Sequence, residues 1–435
     1  MPAINPWPET GNNTFFVLQI TDIHLDFLYQ PGSQSSNCNS PLCCRNGEGD
    51  AGYWGTRAVC DLPPHTLLAF LQDFKQYNIS FVVWTGDNSP HDQWNYDIDQ
   101  VLNYTKTITK WFKEYIDVPV FPVIGNHDCF PMDFFNPGHE QVLIGNLSEW
   151  WEGWLSPEEI QQFSINGFYS ALEPNTGFRV IGINNILGDN LNIFLVPNNT
   201  DPSQMLEWLR NELYQAEKNN EPVIIIGHIP NGDKFLDSDW ARHYRVIVNR
   251  FQNIIRGQFF GHTHYDEFTV VNSIIPNTKN PGVIHTAPAF TTHSYINPSF
   301  RLYEYDWETK HLVNIHQYRL PLYQVNQGPS EAVFEKAYDY KGLYKMNDMS
   351  PSSFELIAEQ VLNDAGFAQK FYENWLSQYP DEAGQCDEKC QKSLYCRLTS
   401  DVFNEAVTCD VDNKSSYLLY RVLEAWQGPW EYISE

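Results

Sequence analysis

The chain has 435 residues, of which 42% are hydrophobic and 15% aromatic, and this composition excludes a disordered chain and allows one large α/β domain with a smaller appendage. A formal net charge of −27 disfavours binding to nucleic acid, so no nucleic-acid partner is expected. The longest apolar stretch, Val223–Ile226, is far shorter than the ~20 residues of a membrane-spanning helix, so no transmembrane segment is expected.

The first two thirds of the chain alternate short apolar runs with amphipathic stretches. The strand-like runs are Phe15–Ile20, Phe81–Trp84, Val118–Val123, Val180–Ile183, Val223–Ile226 and Gln258–Phe260. The helix-like stretches are His65–Tyr77, Ile98–Tyr115, Pro202–Lys218 and Ala241–Ile255, and further β structure is expected at Pro281–His285 and Phe300–Trp307. This alternation predicts an α/β layered fold.

After about Tyr323 the sequence no longer alternates strand-like and helix-like stretches and becomes mainly helix-like. Helices are expected at Ser330–Tyr340, Pro351–Ala365 and Gly366–Gln378, and a cluster of cysteines follows them. We therefore expect a catalytic domain at residues 14–323 and a small helical subdomain, held together by disulfides, at residues 324–435.

Eight of the nine cysteines fall in two clusters. They are Cys38, Cys43, Cys44 and Cys60 near the start and Cys386, Cys390, Cys396 and Cys409 near the end, with Cys129 left over. Zinc ribbons and disulfides can both give such clusters, but neither cluster has paired C-x-x-C spacing, which favours disulfides and an oxidising compartment. Glycosylation sequons at Asn12, Asn78, Asn103, Asn146, Asn198 and Asn413 add weak support for secretion.

Chemically informative residues follow directly after five of the strand-like runs. They are Asp22 and His24, Asp87, Asn126 and His127, His228, and His262 and His264. Because ligands bind at the carboxyl ends of strands in open α/β sheets, we expect these side chains to share one site. Two carboxylates, four imidazoles and one amide suit Zn, Fe, Mn or Co better than Ca or Mg.

Each signal has an ordinary structural explanation when it is taken alone. An Asp-x-His triplet is common, Gly86-Asp87 is more often a turn, and a lone His228 is more often a core histidine. The tetrapeptide Gly125–Asp128 is different, because an exact match is expected on the order of once in a thousand such chains. The five signals in this order predict a dinuclear metal centre.

These residues resemble the signature of the calcineurin-like metallophosphoesterase superfamily. The sequences Trp84–Asp87 with His91-Asp92, Gly227–Pro230 and Phe259–Phe268 are similar to the acid sphingomyelinase family and its sphingomyelinase-like phosphodiesterases. The resemblance runs from about Phe16 to the C-terminus. It implies an αββα sandwich with two metal ions, most often zinc.

The resemblance also assigns ligands and disulfides. It implies that Asp22, His24, Asp87 and His264 hold one ion and that Asp87, Asn126, His228 and His262 hold the other, with Asp87 bridging. The pairs it implies are Cys38–Cys43, Cys44–Cys60, Cys386–Cys390 and Cys396–Cys409, which leaves Cys129 unpaired.

Two metal ions about 3.5–4 Å apart activate a bridging water as hydroxide for in-line attack on phosphorus. The leaving oxygen needs a proton, and His127 and His91 are the candidate donors, although His91 could instead be a surface histidine in a polar loop. We expect His285 and His293 to be structural. Asp128 and Asp266 are expected to orient ligating histidines.

Three functions compete for this site. We expect a soluble phosphodiesterase that acts on nucleotides or choline phosphoesters, because no lipid-extracting domain precedes Asp22. The alternatives are a sphingomyelin phosphodiesterase and, more weakly, a non-catalytic binding protein that retains the fold. Trp150, Trp151 and Trp154 could touch a bilayer, but core packing is the preferred interpretation. A monomer in a secreted or lysosomal compartment is expected.

Overall fold

The computed structural model describes residues 4–38, 40–198, 200–327, 331–377 and 384–410. Within these ranges the chain forms two six-stranded mixed β-sheets with helices on their outer faces. Among the described residues, no helix combines the length and the apolar content needed to cross a membrane.

The strands divide equally between the two sheets. They are β1 (Thr14–Ile20), β2 (Ile79–Trp84), β3 (Val120–Pro122), β4 (Tyr169–Leu172), β5 (Arg179–Gly182), β6 (Val223–Ile226), β7 (Ile255–Phe260), β8 (Glu267–Val271), β9 (Gly282–Thr286), β10 (Ser299–Asp306), β11 (Leu312–Arg319) and β12 (Glu335–Asp339). The first sheet has the order β12-β11-β10-β1-β2-β3, and the second has the order β4-β5-β6-β7-β9-β8. The centre of each sheet is parallel, through β1–β2–β3 and β5–β6–β7–β9.

The helices cover the sheets and form most of the C-terminal part. They are α1 (Pro64–Gln72), α2 (Ile98–Tyr115), α3 (Gln141–Trp151), α4 (Pro157–Asn166), α5 (Met205–Asn219), α6 (Ser238–Phe251), α7 (Leu322–Val325), α8 (Tyr340–Tyr344), α9 (Pro351–Asn363), α10 (Ala365–Trp375), α11 (Glu388–Thr399) and α12 (Phe403–Cys409). Capping boxes stabilise the N-terminal ends of two helices. Asp97 and Gln100 form one at α2, and Ser156 and Glu159 form one at α4.

Alternate residues along β1 face opposite layers of the molecule. Val17 packs in a core with the second sheet, whereas Leu18 packs in a core with helices α1 and α2. Aromatic side chains join the two sheets, since Phe259 of β7 stacks on Tyr303 of β10 at 3.9 Å between ring centroids. Helices α5 and α6 cover the second sheet through buried residues such as Leu209. The predicted αββα sandwich is confirmed.

The structure corrects the prediction after Tyr323. Residues 335–339 form strand β12 rather than part of a helix, because the edge of β11 offers backbone hydrogen bonds to it. The first sheet therefore continues past the expected domain boundary at residue 323. Strands β4, β8 and β11 were also not expected from the apolar runs.

The C-terminal part is helical after β12, and α9 and α11 pack on the second sheet beside β8. Disulfides Cys386–Cys390 and Cys396–Cys409 fasten α11 and α12. Residues 411–435 of the expected helical subdomain, with the sequon Asn413, lie outside the described residues.

The N-terminal cysteines fasten the long loop between β1 and α1. They form the pairs Cys38–Cys43 and Cys44–Cys60, so all four disulfides have the pairing that the resemblance implied. Arg45, beside Cys44, bonds to the carboxylates of Asp26 and Asp92 at 2.8 and 2.6 Å. Cys129 is a buried free thiol.

A fully buried arginine connects the first sheet to the loop that follows β7. The guanidinium of Arg301 donates to Asp266, to Gln317 Oε1 at 3.0 Å and to the carbonyl of Thr286 at 3.2 Å. The hydroxyl groups of Tyr338 and Tyr340 also donate to Asp266. This network fixes Asp266, which lies two residues after His264.

We predict that Arg301→Met destabilises the fold by about 3–5 kcal/mol, because it leaves the Asp266 carboxylate buried without its cation. Urea unfolding followed by circular dichroism measures this loss. The matched control is Arg210→Met, which removes an exposed pair with Glu207 and should cost less than about 1 kcal/mol. Equal losses of unfolding free energy for the two variants would show that the buried network stabilises the fold no more than an exposed ion pair does.

Candidate metal centre

The candidate site lies where loops from both sheets meet. The first sheet contributes the loops after β1, β2 and β3, and the second contributes the loops after β6 and β7. Backbone hydrogen bonds tie these loops together, from Asp22 N to Gly86 O at 3.0 Å and from Gly261 N to His228 O at 2.9 Å. The carboxyl ends of these strands therefore lie together at the base of the site, as expected for an α/β sheet.

One group of side chains gathers around Asp22. The ligand atoms of Asp22, His24 and Asp87 lie within 4.8 Å of one another. His24 Nε2 is 3.5 Å from Asp87 Oδ2, and His264 Nε2 is 3.5 Å from Asp22 Oδ1. This is the set that the resemblance assigns to the first ion.

A second group shares Asp87 with the first. The ligand atoms of Asp87, His228 and His262 lie within 4.8 Å of one another, and His228 Nε2 is 3.1 Å from Asp87 Oδ2. Asn126 Oδ1 is 2.9 Å from His228 Nε2 and 3.0 Å from His262 Nδ1. The structure thus brings all seven predicted ligands together, with Asp87 between the two groups.

The residues fit a pair of divalent cations. His24 Nε2 is fully buried and has no hydrogen-bond partner among the described residues, although it faces a cluster of carboxylates. Burial raises the pKa of Asp22 to about 7 against the opposing charge of His228, so its ionised form is costly without a nearby cation. Burial lowers the pKa of His264 to about 3, which keeps the imidazole in the neutral form that ligates metals.

Five of the seven predicted ligands have left-handed backbone conformations. The φ angles are +49° at Asp22, +38° at His24, +61° at Asp87, +71° at His262 and +68° at His264. Non-glycine residues rarely adopt this region, and each such residue costs on the order of 1–3 kcal/mol. Positive φ angles also occur elsewhere in the described chain, for example at Asp133 and Lys345, but five of them coincide with predicted ligands, which indicates that the side-chain directions serve a function.

Two glycines allow the loops to approach each other closely. A Cβ atom at Gly125 would collide with the backbone nitrogen and the carboxylate of Asp87. A Cβ atom at Gly261 would collide with Thr21 Oγ1 and the carboxylate of Asp22. Both positions therefore require glycine because a carboxylate occupies the space beside them.

Three of the four candidate ligand histidines are oriented by neutral backbone and hydroxyl groups. The three contacts are His24 Nδ1 with Ser89 O at 2.7 Å, His228 Nδ1 with Thr85 O at 2.7 Å and His264 Nδ1 with Ser294 Oγ at 2.9 Å. Each contact turns Nε2 toward the centre of the site.

The expectation that Asp128 and Asp266 orient ligating histidines is wrong. Asp128 accepts hydrogen bonds from the backbone nitrogens of Gly125, Asp87 and Asn88 at 2.8–3.1 Å, so it shapes the loops that carry the ligands. Asp266 is engaged by Arg301. In the described part of the chain, neither carboxylate bonds to a histidine, because closer donors occupy both.

His91 lies inside the site rather than on the surface. Its ring stacks on His24 at 3.9 Å between centroids, and its backbone nitrogen and Nδ1 donate to the two oxygens of Asp61 at 2.8 and 2.7 Å. Asp61 is fully buried, so its contact with Nδ1 holds the ring in one orientation. The ligand atoms of His24, His91 and His264 also lie within 4.8 Å of one another.

His127 is buried beside both His24 and His91. Its backbone nitrogen donates to Asp87 Oδ1 at 2.8 Å, and its ring centroid is 4.8 Å from that of His24 and 5.0 Å from that of His91. Its Nδ1 is buried without a hydrogen-bond partner among the described residues. Both predicted proton donors therefore face the candidate metal groups.

Sequence reasoning missed three residues of the site. Asp61 holds His91, His293 stacks on His91 at 3.7 Å, and Asp233 Oδ1 lies 3.7 Å from His262 Nε2. The structural interpretation of His293 is thus incomplete, whereas His285 lies away from the metal groups, against Phe259 and Phe354. These three residues belong to no sequence motif. Each lies in a loop that tertiary packing brings to the site.

Comparison with known proteins identifies the family. The calcineurin-like phosphoesterase family matches residues 17–266, and the acid sphingomyelin phosphodiesterase C-terminal region matches residues 277–410. Sphingomyelin phosphodiesterase A of Dictyostelium discoideum is 34% identical over 92% of this chain and 69% of its own length. The human sphingomyelin phosphodiesterase is 33% identical over 88% of this chain and 63% of its own length. The human cyclic GMP-AMP phosphodiesterase is 30% identical over 91% of this chain and 88% of its own length.

These matches cover both the strands that carry the site and the helical part that follows them. The chain therefore belongs to the calcineurin-like metallophosphoesterases that carry the acid sphingomyelin phosphodiesterase C-terminal region, and it is an enzyme that hydrolyses phosphodiesters.

Proposed function

We propose that this protein hydrolyses phosphodiesters at a dinuclear centre held by Asp22, His24, Asp87, Asn126, His228, His262 and His264. The observation that carries the proposal is the position of Asp87, whose Oδ2 lies 3.1 Å from His228 Nε2 and 3.5 Å from His24 Nε2. One carboxylate oxygen is thus directed at both groups of ligands. Shared carboxylates of this kind suit paired metal ions.

Zinc is the metal that we propose. Four imidazole nitrogens among seven donors make the set too rich in nitrogen for magnesium or calcium, and zinc accepts nitrogen and oxygen ligands together. Manganese, iron and cobalt are the alternatives for the same donors. When bound, the two ions supply Lewis-acid activation of water and neutralisation of the phosphate oxygens.

His91 and His127 are the proposed sources of the proton that the leaving oxygen takes. Asp61 accepts from His91 Nδ1 at 2.7 Å, which leaves Nε2 as the atom that gives the proton. The Asp61 carboxylate would also stabilise the protonated ring. His127 is placed by its backbone bond to Asp87, so its side chain borders the same reaction space.

We propose soluble phosphodiesters, such as nucleotides or choline phosphoesters, as the first substrate class. The formal charge of −27 provides no attraction to anionic membranes, and a relative with 30% identity is named as a cyclic GMP-AMP phosphodiesterase. Trp150, Trp151 and Trp154 do not form a membrane-facing cluster. Trp151 is buried, and Lys106 and Lys113 lie over the rings of Trp150 and Trp154.

Sphingomyelin is the second candidate substrate, and a specific observation favours it. Phe27 and Leu28, three and four residues after His24, are 40% and 52% exposed, and Trp94, three residues after His91, is 43% exposed. Exposed apolar side chains next to site loops are typical of surfaces that contact lipid or another partner. The relatives that are named sphingomyelin phosphodiesterases support the same candidate.

We propose a secreted or lysosomal compartment for the protein. Four disulfides are stable in an oxidising lumen and are rare in the cytosol. The sequon asparagines Asn12, Asn78, Asn103 and Asn198 are exposed, so they are accessible to glycosylation.

The ligand assignment predicts the metal content of an Asp87 variant. Wild-type protein should contain close to two transition-metal ions per chain by elemental analysis, and Asp87→Asn should contain fewer and lose several orders of magnitude in rate, because both ions lose a charged ligand. The matched control is Asp239→Asn on the exposed surface of α6, which should retain metal and activity. Full activity in metal-free wild-type protein would overturn the proposal.

The proton-donor assignment predicts a dependence on the leaving group. His91→Ala or His127→Ala should lose ~10²–10⁴ in rate on alkyl phosphodiesters but much less on 4-nitrophenyl esters, whose leaving group needs little protonation. Asp61→Asn should show the same contrast with a smaller loss of about 10–100-fold.

Elemental analysis of the same variants separates donors from ligands. A proton donor keeps the wild-type metal content when it is replaced, whereas a ligand does not. His243→Ala, exposed on α6, is the control for the loss of a histidine outside the site. Equal losses on both ester types would show that the histidine positions phosphate and is not the donor.

Side-by-side kinetics test the substrate class. We expect CDP-choline, a nucleoside triphosphate or bis(4-nitrophenyl) phosphate to give the highest kcat/KM, and sphingomyelin to be cleaved only in detergent, because extracting acyl chains costs ~0.8 kcal/mol per CH₂. A higher kcat/KM on liposomal sphingomyelin without detergent would reject the first substrate class. In that case Leu28→Ser should reduce liposome cleavage, and Leu356→Ser, exposed on α9, should not.

A further inference from the structure

A cavity lies at the end of β7 that is opposite to the candidate metal centre. Its volume is about 360 Å³, and its lining includes Ile255–Gln258 at the start of β7 and Gly282 at the start of β9. The ligands His262 and His264 follow the other end of β7. On β7 the lining ends at Gln258, four residues before His262, and none of the candidate metal ligands lines the cavity, so the cavity and the metal centre are separate sites.

Apolar side chains form much of the cavity wall. Trp7, Val283, Leu312 and Met349 come from four separate parts of the chain and meet around it. A volume of this size is at the lower end of the range for small-molecule sites. The cavity is therefore suited to a ligand with a short apolar body.

The titratable side chains that line the cavity among the described residues are all basic. No aspartate or glutamate lines it, counting only the part of the chain that the structure describes, although the chain contains 54 acidic residues. Arg256, His285 and His311 are the titratable residues in the lining. The protein has a formal net charge of −27, so a cavity with no carboxylate among its described lining residues differs from the acidic character of the chain as a whole.

Arg256 forms no ion pair with a carboxylate among the described residues. Its Nη1 donates to the backbone carbonyl of Asn253 at 2.9 Å, and its Nε is buried without a hydrogen-bond partner among the described residues. By contrast, Arg245, Arg250 and Arg301 all pair with carboxylates. Burial lowers the pKa of Arg256, as expected when a guanidinium is desolvated without a counter-ion.

The two histidines are neutral neighbours of this arginine. Burial and the charge of Arg256 lower the pKa of His311 to about 4, and burial and Arg301 lower that of His285 to about 3. His311 Nδ1 donates to the carbonyl of Thr309 at 2.9 Å. Arg256 is consequently the positive charge of the cavity in neutral and weakly acidic solution.

The N-terminal segment closes one side of the cavity. The backbone nitrogen of Asn5 donates to Asn253 Oδ1 at 2.9 Å, and the ring of Trp7 meets the edge of His311 at 4.9 Å between centroids. Trp7 Nε1 is buried without a partner among the described residues. Trp7 and His311 therefore form one wall of the cavity.

We propose that this cavity binds a small amphiphilic anion, with its single anionic head group on Arg256 and its apolar body against Trp7, Leu312 and Met349. The head group is a carboxylate or a phosphate, because a guanidinium forms charge-assisted hydrogen bonds with either anion. The ligand supplies the counter-charge that no described carboxylate gives to Arg256. This site is independent of the reaction at the metal centre.

Isothermal titration calorimetry of the full chain with eight-carbon probes tests the proposal. Octanoate, octyl phosphate, 1-octanol and octylammonium share one chain and differ in the head group, and all are used below micelle-forming concentrations. We expect one saturable site per chain for octanoate or octyl phosphate, and the tighter of the two identifies the head group. 1-Octanol should bind at least about tenfold more weakly, because it lacks the charge-assisted hydrogen bonds, and octylammonium should not bind.

Variants of the lining residues check where the anion binds. Arg256→Gln should weaken binding at least about tenfold, Arg256→Lys should retain part of it, and Trp7→Ala should weaken it by removing a wall. The matched control is Arg210→Gln on the exposed face of α5, which should bind as wild type does. Unchanged cleavage of bis(4-nitrophenyl) phosphate shows that each variant is folded. Equal binding of 1-octanol and octanoate, no binding of either anion, or full binding by Arg256→Gln would overturn the proposal.

Discussion

The candidate site depends on one carboxylate, that of Asp87, which faces ligands from both sheets. Its Oδ2 lies near His24 from the first sheet and near His228 from the second, while its Oδ1 accepts the backbone nitrogen of His127. The two sheets must therefore keep a fixed separation for the two groups of ligands to share this residue. The packed aromatic layer between the sheets, including Phe259 on Tyr303, supplies that rigidity.

The strain at the site follows from the same constraint. Loops from different strands can bring their side chains to one point only by turning sharply, and five predicted ligands accordingly have positive φ. Gly125 and Gly261 leave room for the carboxylates of Asp87 and Asp22. Conformations this costly persist because Asp128 and the surrounding backbone hydrogen bonds fix the loops.

The candidate ligands and the exposed surface around them lie in different parts of the molecule. The ligands lie at strand ends inside the sandwich, where burial controls their protonation. The surface around them combines exposed apolar residues, such as Phe27 and Leu28, with a strongly acidic overall charge. The exposed side chains can therefore vary without disturbing the buried candidate ligands.

The sequence by itself determined the layered α/β fold, the seven candidate ligands and the likeness to acid sphingomyelinases, because these features depend on short motifs at fixed positions after apolar runs. It could not determine strand β12 or the partner of Asp266, since both depend on a sheet edge and an arginine that are distant along the chain. The same holds for Asp61 and His293, which meet His91 only after the disulfide-linked loop and the segment after β9 have folded against it. Motifs record the residues that chemistry requires at a given spacing, whereas the groups that orient them are placed by packing between distant segments.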